Sequence, residues 1–246
     1  MPSILPEQTV ETTRGFGPGF SAFMEMRSAG AEELWPGGPR YIQEPGLFPL
    51  SSDTAWLGEF LRFGGVKRAL DLGCGGGALA LQMLGRRPGL RVTGVDLLPR
   101  AAERTRLNGL LNGWEIETVC GDIRELDRLF PPESFDLAAG NLPYYPASAP
   151  GSADRERDLA RRESCLPEEL CRAAARVLRT GGRLALVYPP ERLTDLMTAM
   201  RAAGLEPKRL RLVQKREKPP CAILLEGRKG AGPGLEIEPT LPVGEE

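Results

Sequence analysis

Four short apolar runs, ending at Asp71, Asp96, Asp122 and Gly140, recur down the middle of the chain with helix-forming segments between them. Strand alternating with helix implies βαβ units, because parallel neighbours need a crossover long enough to hold a helix. Right-handed crossovers then place helices on both faces of an open, mostly parallel sheet. Helices are expected near 78–86, 99–111 and 123–129, with Pro99 opening the second and Gly113 following it. Open α/β sheets bind ligands just outside the carboxyl ends of their strands. The residues that follow the four runs are therefore the first candidates for function.

After the first run comes DLGCGGG, residues 71–77, a glycine turn of spacing G-x-G-x-G leading into a helix. Such a turn lets a ligand touch backbone N–H groups, here those of Gly73 and Gly75, at a helix N-terminus. It is not the dinucleotide fingerprint G-x-G-x-x-G. After the fourth run comes NLPY, residues 141–144. The Asn141 amide oxygen and the Leu142 carbonyl, fixed by Pro143, can accept the two hydrogens of a planar amino group. The ring of Tyr144 can stack on the heterocycle carrying that group. The bland alternatives are a proline turn with a surface Tyr and, for the three acids, ordinary helix N-caps.

A length of 246 residues, 41% hydrophobic and 26% charged, suits one α/β domain with extensions. The chain contains no histidine, which excludes Ser-His-Asp and Cys-His catalysis and any histidine-ligated metal. Five cysteines without C-x-x-C spacing read as reduced thiols. With no basic start, no apolar leader and no membrane-length apolar run, a cytoplasmic protein is expected. A net charge of −1 means that any nucleic-acid partner must be met by a local patch.

Residues 1–40 read as a partly disordered extension, with a short helix possible around Ser21–Glu33. Residues 41–229 read as the domain and 230–246 as a flexible tail. Asp53 is placed to cap a helix through Trp56, Leu57, Phe60 and Leu61. That placement makes Ser51 and Asp53 candidates to fold over a bound cofactor. Past NLPY, a mobile loop leads to a charged helix carrying Arg155, Arg157, Arg161 and Arg162, read either as a solvated face paired with Asp154, Glu156, Asp158 and Glu163 or, by its place beside NLPY, as a phosphate-contacting lid. Pro167–Leu178 reads as a helix stopped by Gly181 and Gly182, followed by a strand GRLALVYPP and a helix Glu191–Ala203. Two last strands, PKRLRLVQ and PCAILLEGRK, read as antiparallel neighbours. They carry Lys208, Arg209, Arg211, Lys215, Arg216, Lys218, Arg228 and Lys229.

Taken together, these motifs resemble those of Rossmann-like S-adenosylmethionine-dependent methyltransferases. More narrowly, the chain resembles the bacterial tRNA(Val) (adenine-37-N(6))-methyltransferase group from about Tyr41 to Lys229. The likeness rests on FPLSSD, DLGCGGG, Asp96, Asp122, NLPY, ARRE at Ala160–Glu163 and GGRLALVYPPERL. It implies a seven-stranded sheet whose last strand is antiparallel, and methyl transfer to an adenine amino group in a tRNA anticodon loop. It also implies cofactor contacts from Ser51, Asp53, Asp71, Gly73, Gly75, Asn141, Asp96 (ribose) and Asp122 (adenine). RNA contacts would fall to Arg155, Arg161, Arg162, Lys215 and Arg216. No metal is expected, and a monomer is favoured while the oligomeric state stays open. Where the family has NPPY this chain has NLPY, similar to ribosomal RNA adenine dimethylases. Arg162 stands directly before Glu163 where the family often has Arg-His-Glu. A release-factor glutamine and a ribosomal RNA amino group are the alternative acceptors, and a non-catalytic RNA-binding protein is the alternative of another class.

Overall fold

The computed structural model describes residues 30–142 and 165–244. In chain order, a small antiparallel hairpin, β1 (Glu32–Glu33) and β2 (Arg40–Tyr41), leads to α1 (Ser52–Phe60). Then follow β3 (Arg68–Leu72), α2 (Ala78–Arg86), β4 (Arg91–Asp96), α3 (Pro99–Leu111) and β5 (Glu117–Cys120). The next elements are a one-turn α4 (Leu126–Leu129), β6 (Phe135–Gly140), α5 (Pro167–Val177) and β7 (Leu178–Tyr188). The chain closes with α6 (Leu193–Ala202), β8 (Leu205–Lys215), β9 (Pro220–Lys229), β10 (Glu236–Ile237) and β11 (Leu241–Val243).

The main sheet runs in the order β5-β4-β3-β6-β7-β9-β8-β10, with β11 also on β8. The five strands from β5 to β7 are parallel, and β9 is inserted antiparallel between β7 and β8. Because β9 opposes both neighbours, β8 points the same way as β7. Lys215, at the end of β8, thus lies at the same sheet edge as Gly140 at the end of β6.

Side chains alternate across the strands and feed two cores. Leu70, Leu72, Ala138, Leu184 and Leu186 pack with α4, α5 and α6. Ala69, Leu137, Ala139, Ala185 and Val187 pack with α1 and α2. Leu70, Leu137 and Leu184 are fully buried, each worth about 1.5–3 kcal/mol relative to exposure. No helix among the described residues is long and apolar enough to cross a membrane.

Besides β7, which already begins at Leu178 and runs through the Gly181–Gly182 pair expected to stop the helix, the structure departs from the sequence reading in four places. Asp122 caps a 3-10 turn, Ile123–Glu125, so the helix expected over 123–129 is reduced to one turn after it. The N-cap of α1 is Ser51, with Asp53 in the first turn. Residues 30–40, expected as part of an extension, include the hairpin strands.

The fourth departure is the stretch from Gly230, which is not a free tail. It lies along β8, pairing through Glu236–Ile237 and Leu241–Val243. The exposed edge of β8 invites such pairing, and its cations hold the added segment. Lys208 donates to the carbonyls of Gly232 and Pro233 at 3.1 and 3.3 Å. Arg211 donates to the Pro239 carbonyl at 3.0 Å, and Arg209 Nε to Glu238 at 2.8 Å. Buried Arg209 also pairs with Glu226 at 3.2 Å, donates to the Phe60 carbonyl at 3.0 Å and stacks on the Phe60 ring. Arg228 and Lys229 donate to the carbonyls of Gly181 and Leu178. Much of the basic stripe is therefore spent inside the fold.

Candidate active site

The glycine turn follows from its neighbours. Gly73 and Gly77 have φ of +64° and +84°, a region that side chains avoid. A Cβ on Gly73 would come within 2.5 Å of Leu142 Cδ2, so the second residue of NLPY lies directly on the turn. Gly77 is the N-cap of α2 and has no side chain to cap it. Asp71 supplies that oxygen from the strand, its Oδ2 accepting from Ala80 N at 3.0 Å. Burial raises the Asp71 carboxyl to about 8. Asp96 orients the middle of the turn: Oδ2 accepts from Gly75 N and Oδ1 from Leu98 N, both at 2.9 Å. Burial raises its pKa as well.

A strap, residues 40–50, crosses above this turn and is fastened by one face of α3. Asn112 bonds both the N–H and the carbonyl of Arg40, each at 2.7 Å. Asn108 does the same for Ile42, at 3.2 and 3.0 Å, and its Nδ2 also donates to the Gly76 carbonyl at 2.9 Å. Arg104 pairs with Glu44, and Arg100 donates to the Gly46 carbonyl at 2.9 Å. The strap delivers Phe48, Pro49 and Leu50 to a cleft also lined by Tyr41, Thr54, Asp71, Gly73, Gly75 and Asn141. Phe48 and Leu50 stay exposed at its mouth.

Asn141 leaves the end of β6 beside the start of α1. Its Nδ2 donates to Ser51 Oγ at 3.0 Å and to Thr54 Oγ1 at 2.9 Å. Among the described residues none donates to its Oδ1. Asp122 is differently placed: both its oxygens are engaged by Arg124, whose backbone N–H and guanidinium it accepts. The Arg124 bond holds the Asp122 carboxyl below the usual range.

Of the sequence candidates, Asp71, Gly73, Gly75 and Asn141 share the cleft, and Ser51, Asp96 and Leu142 adjoin it through the contacts above. Asp53 is not among the lining residues. Lys215, the last residue of β8, and Arg216, in the turn to β9, are exposed. Pro143, Tyr144, Arg155, Arg161 and Arg162, with the lid reading they carried, lie outside the described residues. The sequence reading missed Thr54 and the strap ladder. The ladder had a visible signal: Arg100, Arg104, Asn108 and Asn112 are polar at strict i, i+4 spacing, one face of a helix.

The residues fit S-adenosylmethionine. Nothing lies within 4 Å of a Cβ built on Gly75, so the turn opens to the cleft there. Asp96 keeps a lone pair on each oxygen beyond its two backbone bonds, which suits ribose hydroxyls. Among solved structures the chain is similar to an S-adenosylmethionine-dependent methyltransferase from Methanosarcina mazei, at TM-score 0.51 and 18% identity over 77% of this chain and all of that one. It is also similar to the cyclase SpnF, at TM-score 0.55 and 17% identity over 86% and 93%. One fold thus serves different chemistries. Residues 69–152 match the family described as a methyltransferase domain. Fold and site together define a Rossmann-like, S-adenosylmethionine-dependent methyltransferase. Two relatives named tRNA1(Val) (adenine(37)-N6)-methyltransferase narrow the class. That of Porphyromonas gingivalis ATCC 33277 is 37% identical over 71% of this chain and 70% of its own length. That of Tolumonas auensis is 34% identical over 72% and 74%. The chain belongs to the tRNA1(Val) (adenine(37)-N6)-methyltransferase family.

Proposed function

We propose that this protein methylates the exocyclic amino group of an adenine in tRNA, adenine 37 in the anticodon loop of tRNA(Val). The observation that carries the reading is Asn141. Its two amide hydrogens are held by Ser51 and Thr54, so its oxygen is left as an acceptor at the cleft. S-adenosylmethionine supplies an electrophilic methyl group when bound. Asp96 would hold its ribose and the Gly73–Gly75 turn its backbone-facing side.

An adenine amino nitrogen is a poor nucleophile because its lone pair is shared with the ring. The Asn141 oxygen and the Leu142 carbonyl accept its two N–H groups and favour the positive charge that grows on nitrogen, a preorganised electrostatic effect. No strong base is needed, in keeping with a chain that has no histidine; the proton leaves to water. Tyr144 stacks on the base, worth about 1–3 kcal/mol in single-strand binders. Lys215 and Arg216 stand at the sheet edge that carries Asn141, and with Arg155, Arg161 and Arg162 they contact phosphates. The protein works as a monomer.

Tritiated S-adenosylmethionine, the purified protein and tRNA from cells lacking the modification provide the test. Label should appear in tRNA adenine, and RNA binding should weaken steeply with salt, as counterion release requires. Label on a release-factor glutamine or on ribosomal RNA alone would overturn the tRNA reading.

A further inference from the structure

An amide group has an oxygen at one end and an NH2 of nearly the same shape at the other. Only its neighbours tell the two apart. Turned by half a rotation, Asn141 would aim donors at the donor it is proposed to receive. We propose that Ser51 and Thr54 are positioning residues that lock the Asn141 amide with its oxygen toward the acceptor amine. The inference rests on the functional reading above and deepens it.

Two observations carry it. Ser51 is the N-cap of α1, yet its hydroxyl makes no capping bond to its own helix. A serine there usually stabilises its helix by capping a first-turn N–H. Here its oxygen is turned to Asn141 Nδ2 instead, at 3.0 Å.

The second observation is a count of hydrogens. The hydroxyls of Ser51 and Thr54 are 3.4 Å apart, so one of their two O–H groups is used between them. In the observed orientation both also accept an N–H from Asn141, giving three hydrogen bonds. In the flipped orientation only one O–H remains to donate to the Asn141 oxygen, giving two. The observed orientation therefore holds one hydrogen bond more, worth roughly threefold to tenfold in population.

The test is single-turnover methylation of unmodified tRNA, with cofactor affinity measured by calorimetry on every variant. Thr54→Val leaves one hydrogen bond to either orientation, so the correctly turned fraction should fall from about three quarters or more to about one half and methyl transfer by about 1.5-fold to twofold. Ser51→Ala with Thr54→Val should cost about the same. Cofactor affinity should stay within about threefold, and Thr54→Ser should restore the rate. The deciding arm repeats the hydroxyl deletions on Asn141→Asp. A carboxylate presents an oxygen whichever way it turns, so the deletions should then leave the rate within about 1.2-fold, a non-additive cycle.

Equal losses in both backgrounds, an unchanged rate without the hydroxyls, or loss of cofactor affinity along with rate would each overturn the proposal. A wild-type protein that transfers no methyl to tRNA overturns the functional reading beneath it. A wild type that methylates while the hydroxyl deletions match it overturns the clamp alone.

Discussion

Two segments flank the alternating core, the strap at residues 40–50 and the C-terminal stretch at 230–244, and they are fastened by different means. The strap is held by the side chains of a helix, largely by amides that bond its backbone. The C-terminal stretch is held as a strand on β8 and by charges, above all Arg209 with Glu238. The strap ends in the cleft, whereas the C-terminal stretch covers an edge. Neutral, geometrically exacting contacts thus sit where position matters for chemistry. Ion pairs, whose strength depends less on angle, carry more of the segment where only closure matters, although Arg104 with Glu44 also fastens the strap.

Cutting into each fastening in turn sharpens this contrast. The largest effect is expected in the cleft that the strap closes, at a residue held by Ser51 and Thr54. Asn141→Ala should lower methyl transfer by roughly 10²–10³, about 2.7–4 kcal/mol, with cofactor affinity within a few-fold. Full activity in a single-turnover assay would mean that Asn141 serves the fold and not the reaction. Asn108→Ala removes a buried side chain that bonds Ile42 and Gly76. It should cost about 2–3 kcal/mol in denaturant unfolding by leaving those groups unpaired. It should also weaken cofactor binding several-fold, because Gly76, one end of its bridge, lines the cleft.

On the other segment the two readouts should separate. Glu238→Ala takes away a partner of buried Arg209. It should lower stability by about 1–2 kcal/mol while leaving methyl transfer and cofactor affinity as they were. A matching fall in turnover would erase the contrast. Smallest of all should be Arg62→Ala. Arg62 pairs with Glu238 at 2.7 Å, but its side chain is 53% exposed. Less than about 0.5 kcal/mol is expected in the same unfolding experiment.

What could be read from the sequence follows the same division. The helices over Ala78–Arg86 and Pro99–Leu111 appear at the expected residues, since a glycine cap or a first-turn proline marks their starts locally. The place of Asp71 and Asn141 beside one glycine turn was legible because strand ends set it. The pairing of residues 236–243 with β8 was not, because it depends on an open edge made by distant residues. The same holds for the buried role of Arg209, which in sequence looks like one more cation of a basic run. Asp122 carries the plain alternative that the pattern also allowed: it caps its own next turn and pairs with Arg124.

The strap ladder works like two rulers of slightly different scale laid side by side. Four helical residues advance about 6.0 Å and two extended residues about 6.6 Å, so each rung slips by roughly 0.6 Å. The chain grades its connectors to match. The short asparagines at 112 and 108 make the first two rungs, where the scales still agree. The long arginines at 104 and 100 make the next two, where slack is needed, and the last meets a turn at Gly46 and not extended chain. Inserting or deleting one residue between Arg40 and Glu44 would rotate every later rung to the wrong side. Length variation in this family member should therefore be tolerated ahead of Arg40 and forbidden after it.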